Sequence, residues 1–286
     1  MDRTDLSIVL PAHNEAASLR IILPRLKELF SEADILVIDD ASDDDTPQIC
    51  TQNGVRVISH KYQQGNGAAV KTGARNAVGD IIVFMDADNQ HSPEDVNKLL
   101  DCIRGGYDMA VGARVKGTQA TVLRSIANKF YNIFASWITG HKIKDLTSGF
   151  RAVNADKFRE FIMLLPNGFS YPTTITMAFF RSGYSVKYVP VEVNKRHGKS
   201  HIKPITDGIR FLLIIFKVGT LYSPLKFFFP ISFLFFIMGA GYYLYTFLSA
   251  SRFTNMGVLL LTTSILIFLI GLVSEQLTML FYRDRK

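Results

Sequence analysis

The chain is poor in cysteine, holds a single tryptophan and, over two long stretches near its C-terminus, carries no charge. Its two cysteines, Cys50 and Cys102, fall far apart in expected helices, with no CxxC pair and no Cys/His spacing of a zinc site. That excludes a disulfide scaffold or thiolate metal centre and leaves two reduced, buried thiols. No GxGxxG is present, the histidines form no ligand triad, and nothing is arranged like a Ser/His/Asp set. Internal repeats and low-complexity segments are missing too. The first apolar run, Leu6 to Leu10, is too short for the core of a secretion signal. The N-terminal part of the chain is therefore expected to stay in the cytoplasm.

What is present is unevenly distributed. Hydrophobic residues make up 48% of the 286 residues and charged residues 20%. Residues 1–204 read as an ordinary α/β domain. Residues 227–251 then run 25 positions without Asp, Glu, Lys or Arg, and 253–274 run another 22. Each exceeds the roughly 20 residues that cross a bilayer's hydrocarbon core, so transmembrane helices are expected over about 227–249 and 257–280. The loop between them carries one charge, Arg252. The flanks carry Lys217 and Lys226 before, and Arg283, Arg285 and Lys286 after. Positive charge favours the cytoplasmic side, so both ends of the hairpin are expected there.

The formal net charge of +7 is concentrated in one place: residues 187–226 hold eight Lys/Arg against Glu192 and Asp207. A local basic patch beside a membrane fits phosphate ligands or anionic headgroups. Nucleic acid fits poorly, because no arginine-rich helix or aromatic RNA-binding motif accompanies the patch. Lys203, Asp207, Arg210 and Lys217 recur among Phe211, Leu212, Ile214, Ile215 and Phe216. That pattern predicts an amphipathic helix in the membrane interface over 205–226, bridging the first domain and the hairpin. A helix packed on the soluble domain's core is the alternative.

Within the first domain, short apolar runs alternate with helical stretches. Strands are expected over 7–10, 35–38, 55–59, 81–85 and 108–111, with a later one over 185–193. Helices are expected over 18–30, from Thr46-Pro47, over 66–78, from a Ser92-Pro93-Glu94-Asp95 cap to 103, and over 119–140, 156–165 and 171–182. This β-α-β-α order predicts a mostly parallel sheet with helices on both faces. Ligands of such sheets bind beyond the carboxyl ends of the strands, where Asn14, Asp39, Asp40, Asp86 and Asp88 all fall.

The strongest local signal is Asp86-Ala87-Asp88-Asn89-Gln90. Two carboxylates two residues apart after an apolar strand suit a hard divalent cation, Mg2+ or Mn2+, shared with substrate phosphates; a solvated turn capping the next helix is the plain alternative. Asp39 and Asp40 end the second strand, where carboxylates can receive hydrogen bonds from a base or ribose, while Asp43 to Asp45 better fit helix capping. Gln64-Gly65-Asn66-Gly67 followed by Lys71-Thr72 resembles a P-loop only superficially, because Val70 stands where the motif needs glycine. The glycines instead permit a tight turn, with Lys71 either aimed at a phosphate or simply solvated. Arg114, Arg124 and the run from Lys144 to Arg151 add cations, hydroxyls and a glycine turn suited to phosphate.

Together these pieces resemble the inverting glycosyltransferase family 2, from Ser7 to about Lys203. The carriers are Pro11-Ala12-His13-Asn14-Glu15, Ile38-Asp39-Asp40-Ala41-Ser42-Asp43, the DxD segment, Thr147-Ser148-Gly149-Phe150-Arg151 and Arg196-His197-Gly198-Lys199-Ser200. Their order, with the hairpin, is similar to the polyprenyl-phosphate branch of that family. The resemblance implies a GT-A fold and transfer of a hexose from a nucleotide sugar to a polyprenyl phosphate. It implies that Pro11, Ala12, Asn14, Glu15, Asp39 and Asp40 cradle the donor nucleotide, with Lys71, Arg114, Arg196 and Lys199 also on the donor. Asp86, Asp88 and Gln90 would hold the metal on its diphosphate. Arg124, Ser148 and Arg151 would lie with Asp88 at the reacting groups, near the acceptor phosphate. Membrane lipids are implied partners, and a homo-oligomer is left open. A processive polysaccharide synthase is the competing enzyme, but its Gln-x-x-Arg-Trp motif is absent: the one tryptophan, Trp137, stands in Ala-Ser-Trp-Ile-Thr. A non-catalytic, membrane-anchored nucleotide-sugar binding protein is the other alternative; the complete DxD argues against it.

Overall fold

The structure, a computed structural model, describes residues 5–114, 122–168, 170–193, 223–252 and 254–283, with 213, 216, 217, 219 and 220. The chain divides into two compact units, one made of Met1–Trp137 and His141–Ile214, the other of Ile138–Gly140 and Ile215–Lys286.

The first unit is built on seven strands: β1 Leu6–Ala12, β2 Asp34–Asp39, β3 Arg56–Ser59, β4 Ile81–Phe84, β5 Met109–Arg114, β6 Arg151–Asn154 and β7 Val186–Val191. They form one sheet in the order β3-β2-β1-β4-β6-β5-β7. Neighbours run parallel except at β6, which is antiparallel to both β4 and β5. The helices are α1 Ala16–Leu29, α2 Thr46–Gln52, α3 Asn66–Asn76, α4 Asp95–Arg104, α5 Val122–Thr139, α6 Ala155–Arg159 and α7 Tyr171–Arg181. Every residue of β2, and all of β1 but Leu6, is buried. Strands covered on both faces read as unbroken apolar runs rather than alternating ones, which is why β1, β2 and β4 stand out in the sequence. Ile8, Leu10, Val37, Val83 and Met85 join Leu19, Leu23, Leu26 and Leu99 of α1 and α4 in a single core.

Several elements differ from expectation. β6 lies in a segment read as part of a phosphate pocket. The helix expected over 156–165 is split into α6 and a 3-10 turn, Ile162–Leu164. Pro166 disfavours helix at Leu165, the residue after that turn. Ser92 does not cap: its hydroxyl goes to the Glu94 carboxylate and α4 begins at Asp95. Pro24 lies inside α1, on the exposed side, where water can take the carbonyl it leaves unpaired.

The second unit holds two long apolar helices, Pro224–Ala250 and Asn255–Arg283. Pro224–Ser249 and Asn255–Thr278 are each long and apolar enough to cross a membrane. They are joined across their interface by Ser232 and Ser264, each hydroxyl donating to the other's backbone oxygen at 2.9 Å. Small hydroxyl residues bring apolar helices close and satisfy each other where water is absent. Glu275 Oε2 accepts the Leu225 N–H at 3.3 Å, one of the four first-turn donors a helix leaves free. The expected interfacial helix over 205–226 falls mostly outside the described residues.

Candidate active site

The sheet's order reverses between β1 and β4: β2 and β3 lie to one side, while β4 and the later strands lie to the other. Such a switch point opens a crevice at the carboxyl ends of the strands. Three of the four non-glycine residues with positive φ among those described sit just beyond β1, β2 and β4. They are Asn14, Ala41 and Asn89, each at φ 57. Asparagine tolerates this left-handed backbone, but alanine pays about 1 kcal/mol or more for it. Strain is confined to Ala41, between two asparagine turns, and makes these strand ends a candidate site.

The first two turns are interlocked. The Asn14 N–H donates to Ser42 Oγ at 2.9 Å, and Asn14 Oδ1 accepts the Asp43 N–H at 2.8 Å. Asp44, rather than Asp45, does the capping: its carboxylate accepts the Ala16 N–H at 3.1 Å and the Thr46 N–H at 2.9 Å. The Glu15 N–H is held by Thr46 Oγ1 at 3.1 Å. Pro11 and Ala12 are buried in β1, and Asp39 is buried with Oδ1 accepting the Ser42 N–H at 3.0 Å.

Asp40 faces inward. Its Oδ1 lies 2.7 Å from His60 Nδ1 and accepts the Gln64 N–H at 2.8 Å, and its Oδ2 accepts the Gly65 N–H at 2.7 Å. Burial opposes the charge, but the Gln64, His60 and Gly65 hydrogen bonds outweigh it and hold the pKa below the usual carboxylate range. Asp40 thus shapes the turn into α3, where Gly65 at φ +100 adopts a backbone that side chains resist. His60 Nε2 continues the chain to Thr72 Oγ1 at 2.9 Å.

Beyond β4, Asp86 and Asp88 are half-buried while Ala87 between them is buried. Asn66 Nδ2 reaches Asp86 Oδ1 at 3.4 Å, and Asp88 Oδ1 accepts the Gln90 N–H at 3.2 Å. Gly149 backs Asp86: a Cβ there would stand 2.7 Å from Asp86 Oδ2. Among the described residues no three His, Cys, Asp or Glu groups converge on one point. The pair still fits the implied cation, because Mg2+ and Mn2+ bind through one or two carboxylates and leave the other positions to water and substrate phosphates. His91, three residues on, is buried and stacked on Phe150 with ring centroids 4.7 Å apart. Burial pushes its pKa down to about 4 against the pull of Asp88, so it is neutral at pH 7.

The expected cations are differently disposed. Arg114 holds Asp145 by two bonds and also reaches Thr147 Oγ1. Lys71 is not aimed at an open site: its Nζ bonds to Leu165 O at 3.2 Å and to Asn167 Oδ1. Arg151 is fully buried, and Ser148 is buried with its Oγ unpartnered among the described residues. Arg124 lies on α5, but its side chain, with Arg196 and Lys199, falls outside the described residues. His60, Asn66, Tyr171 and Asp145 join the site without being among the residues that the sequence points to. Asp145 carries a local signal as a carboxylate beside Thr147-Ser148-Gly149, and Asn66 as part of the glycine turn 64–67; His60 and Tyr171 carry none.

The carboxyl-end crevice, the DxD pair and the one antiparallel strand define a nucleotide-sugar transferase fold of the GT-A kind. The model for glycosyl transferase family 2 matches residues 7–162, and one for the GtrB C-terminal hairpin matches 223–280. The chain belongs to glycosyltransferase family 2. It is 29% identical over 216 residues to a dolichyl-phosphate hexose transferase of Haloferax volcanii, covering 75% of this chain and 93% of that one. A polyprenol monophosphomannose synthase of Mycolicibacterium smegmatis is 29% identical, over 66% of this chain and 77% of its own. A dolichol-phosphate mannosyltransferase of Pyrococcus furiosus is 32% identical, over 72% and 57% respectively. Among solved structures, glucosyl-3-phosphoglycerate synthase of Mycobacterium tuberculosis, in complex with Mn2+, UDP and glucosyl-3-phosphoglycerate, superposes with a TM-score of 0.62. It covers 76% of this chain and 80% of its own at 20% identity, a likeness of fold.

Proposed function

We propose that this glycosyltransferase moves a hexose, with inversion at the anomeric carbon, from GDP-mannose, UDP-glucose or UDP-N-acetylglucosamine to a polyprenyl phosphate. The observation that carries the reading is the DxD pair at the sheet's switch point, in a chain that also has two helices long enough to cross a bilayer. The names of the relatives support the acceptor class. Residues 1–204 form the catalytic domain on the cytoplasmic face, and 227–286 anchor the chain.

The lipid phosphate oxygen attacks the anomeric carbon, and the nucleoside diphosphate leaves. A phosphomonoester is already ionised at neutral pH, its second pKa being about 6. No strong general base is needed. The harder task is to bring two anions together, and the basic segment with Arg124, Arg196 and Lys199 supplies the opposing charge. Asp86 and Asp88, assisted by Gln90, are the groups to hold Mg2+ or Mn2+. Once bound, that cation neutralises charge developing on the diphosphate. The Asn14–Ser42–Asp43 lock and the Asp40-braced turn rigidify the nucleotide end of the crevice.

The test is a donor screen with purified protein, Mg2+ or Mn2+ and undecaprenyl phosphate, reading the glycolipid product. Release of nucleotide from every donor without lipid product would sink the acceptor assignment.

A further inference from the structure

Arg151 opens β6 fully buried, and among the described residues it makes no ion pair. Its Nη2 donates to the Ser148 carbonyl, and its Nη1 reaches Thr176 Oγ1 at 3.2 Å and the Pro172 carbonyl at 3.4 Å. The guanidinium carbon lies 5.5 Å from the centre of the Tyr171 ring. Tyr171, buried at the start of α7, donates its own hydroxyl to the Gly149 carbonyl at 3.0 Å. Two consecutive carbonyls, those of Ser148 and Gly149, are thus held from beneath by two buried side chains. On its other side Gly149 meets Asp86: the place of its missing Cβ lies 2.7 Å from Oδ2 and 3.2 Å from Oδ1. An isolated buried arginine is costly, and its charge is spent here on backbone carbonyls beside the DxD pair.

We infer that Arg151 and Tyr171 are positioning residues which, through the Ser148–Gly149 backbone, set where the Asp86 carboxylate stands for a divalent cation. The inference rests on the proposed metal role of Asp86. It gives the Thr147-to-Arg151 motif a task different from holding the acceptor phosphate: the motif forms the wall against which the metal-binding carboxylate is seated. Glycine suits the position because a Cβ there would press on the Asp86 carboxylate and turn it aside. Tyrosine is required for its hydroxyl, because phenylalanine would fill the same volume and leave the Gly149 carbonyl without its donor.

The experiment titrates Mn2+ into the full chain in detergent, with saturating UDP and in parallel with GDP, following the free-ion signal by electron paramagnetic resonance. Tyr171→Phe and Gly149→Ala are compared with wild type and with Tyr184→Phe, which loses a surface hydroxyl bound to Glu160. Each protein is first shown folded by circular dichroism. Tyr171→Phe should weaken Mn2+ binding about fivefold, the effect of one net hydrogen bond, and Gly149→Ala by about tenfold or more. Tyr184→Phe should bind as wild type does. Wild-type affinity in folded Tyr171→Phe overturns the inference while leaving the metal role intact, and that variant carries the test alone if Gly149→Ala does not fold. A wild-type protein that binds no Mn2+ with either nucleotide overturns the metal reading, and this inference with it.

Discussion

Arg114 and Asp145 meet in a two-point ion pair, Nε to Oδ2 at 2.8 Å and Nη2 to Oδ1 at 3.0 Å, across 31 residues of sequence. The pair joins the end of β5 to the segment leading into β6. It explains why Arg114 is braced rather than reaching freely for a ligand. Burial disfavours the Asp145 charge, but Arg114 and the Thr147 N–H outweigh it and hold its pKa below the usual carboxylate range. The folded value lies below the unfolded one. The resulting stability is therefore complete above about pH 4 and is lost as pH falls through the depressed value. Asp145→Asn should lower stability at neutral pH by about 3 kcal/mol, as expected for breaking a buried pair, and should flatten the acid-side loss. Thermal unfolding between pH 7 and 3 checks this; parallel curves for the two proteins would count against it.

Asp88→Ala should abolish sugar transfer while leaving the fold intact, because the side chain is only half-buried. Loss of the several kcal/mol that a metal supplies to leaving-group charge corresponds to roughly a thousandfold in rate or more. Chelation with EDTA should do the same to the wild type, and added Mn2+ or Mg2+ should restore it. Full turnover in either sample would exclude the metal role.

Arg151→Ala should act first on stability. The substitution leaves the Ser148 carbonyl and Thr176 Oγ1 short of a donor and opens a cavity under β6. Unmet buried groups cost about 1–3 kcal/mol each, so the melting temperature in detergent should fall by several degrees. A variant that melts like the wild type but needs far more lipid phosphate to saturate would return Arg151 to the acceptor site.

Both ends of the hairpin should face the cytoplasm. A cysteine at exposed Asn255, the first residue of the second helix, should react from outside the cell with an impermeant maleimide once Cys50 and Cys102 are replaced. Cys50 is buried, and burial pushes its thiol up to about 11, so it reacts slowly in any case. Alanine rather than serine suits that position, since a hydroxyl there would be buried without an assigned partner. Labelling only after permeabilisation would reverse the topology.

Much of the architecture is written locally in the chain. The strands covered on both faces announce themselves as apolar runs, the membrane-length helices as an absence of charge, and the DxD pair as two carboxylates closing such a run. Each of these is a short-range property, readable from spacing alone. The antiparallel β6 is not, because Arg151-Ala152-Val153-Asn154 is four residues long and begins with an arginine whose ordinary place is the surface. What buries that arginine is the meeting of carbonyls from Ser148 and Pro172 with the Thr176 hydroxyl, groups brought together only when α7 docks against the sheet. The same holds for Lys71 and Arg114, whose partners lie 94 or more and 31 residues away. Residue type limits what a cation can bind; the tertiary fold decides whether it faces a ligand or another part of the chain, because hydrogen bonds and ion pairs are satisfied by whatever the packing brings within about 3 Å.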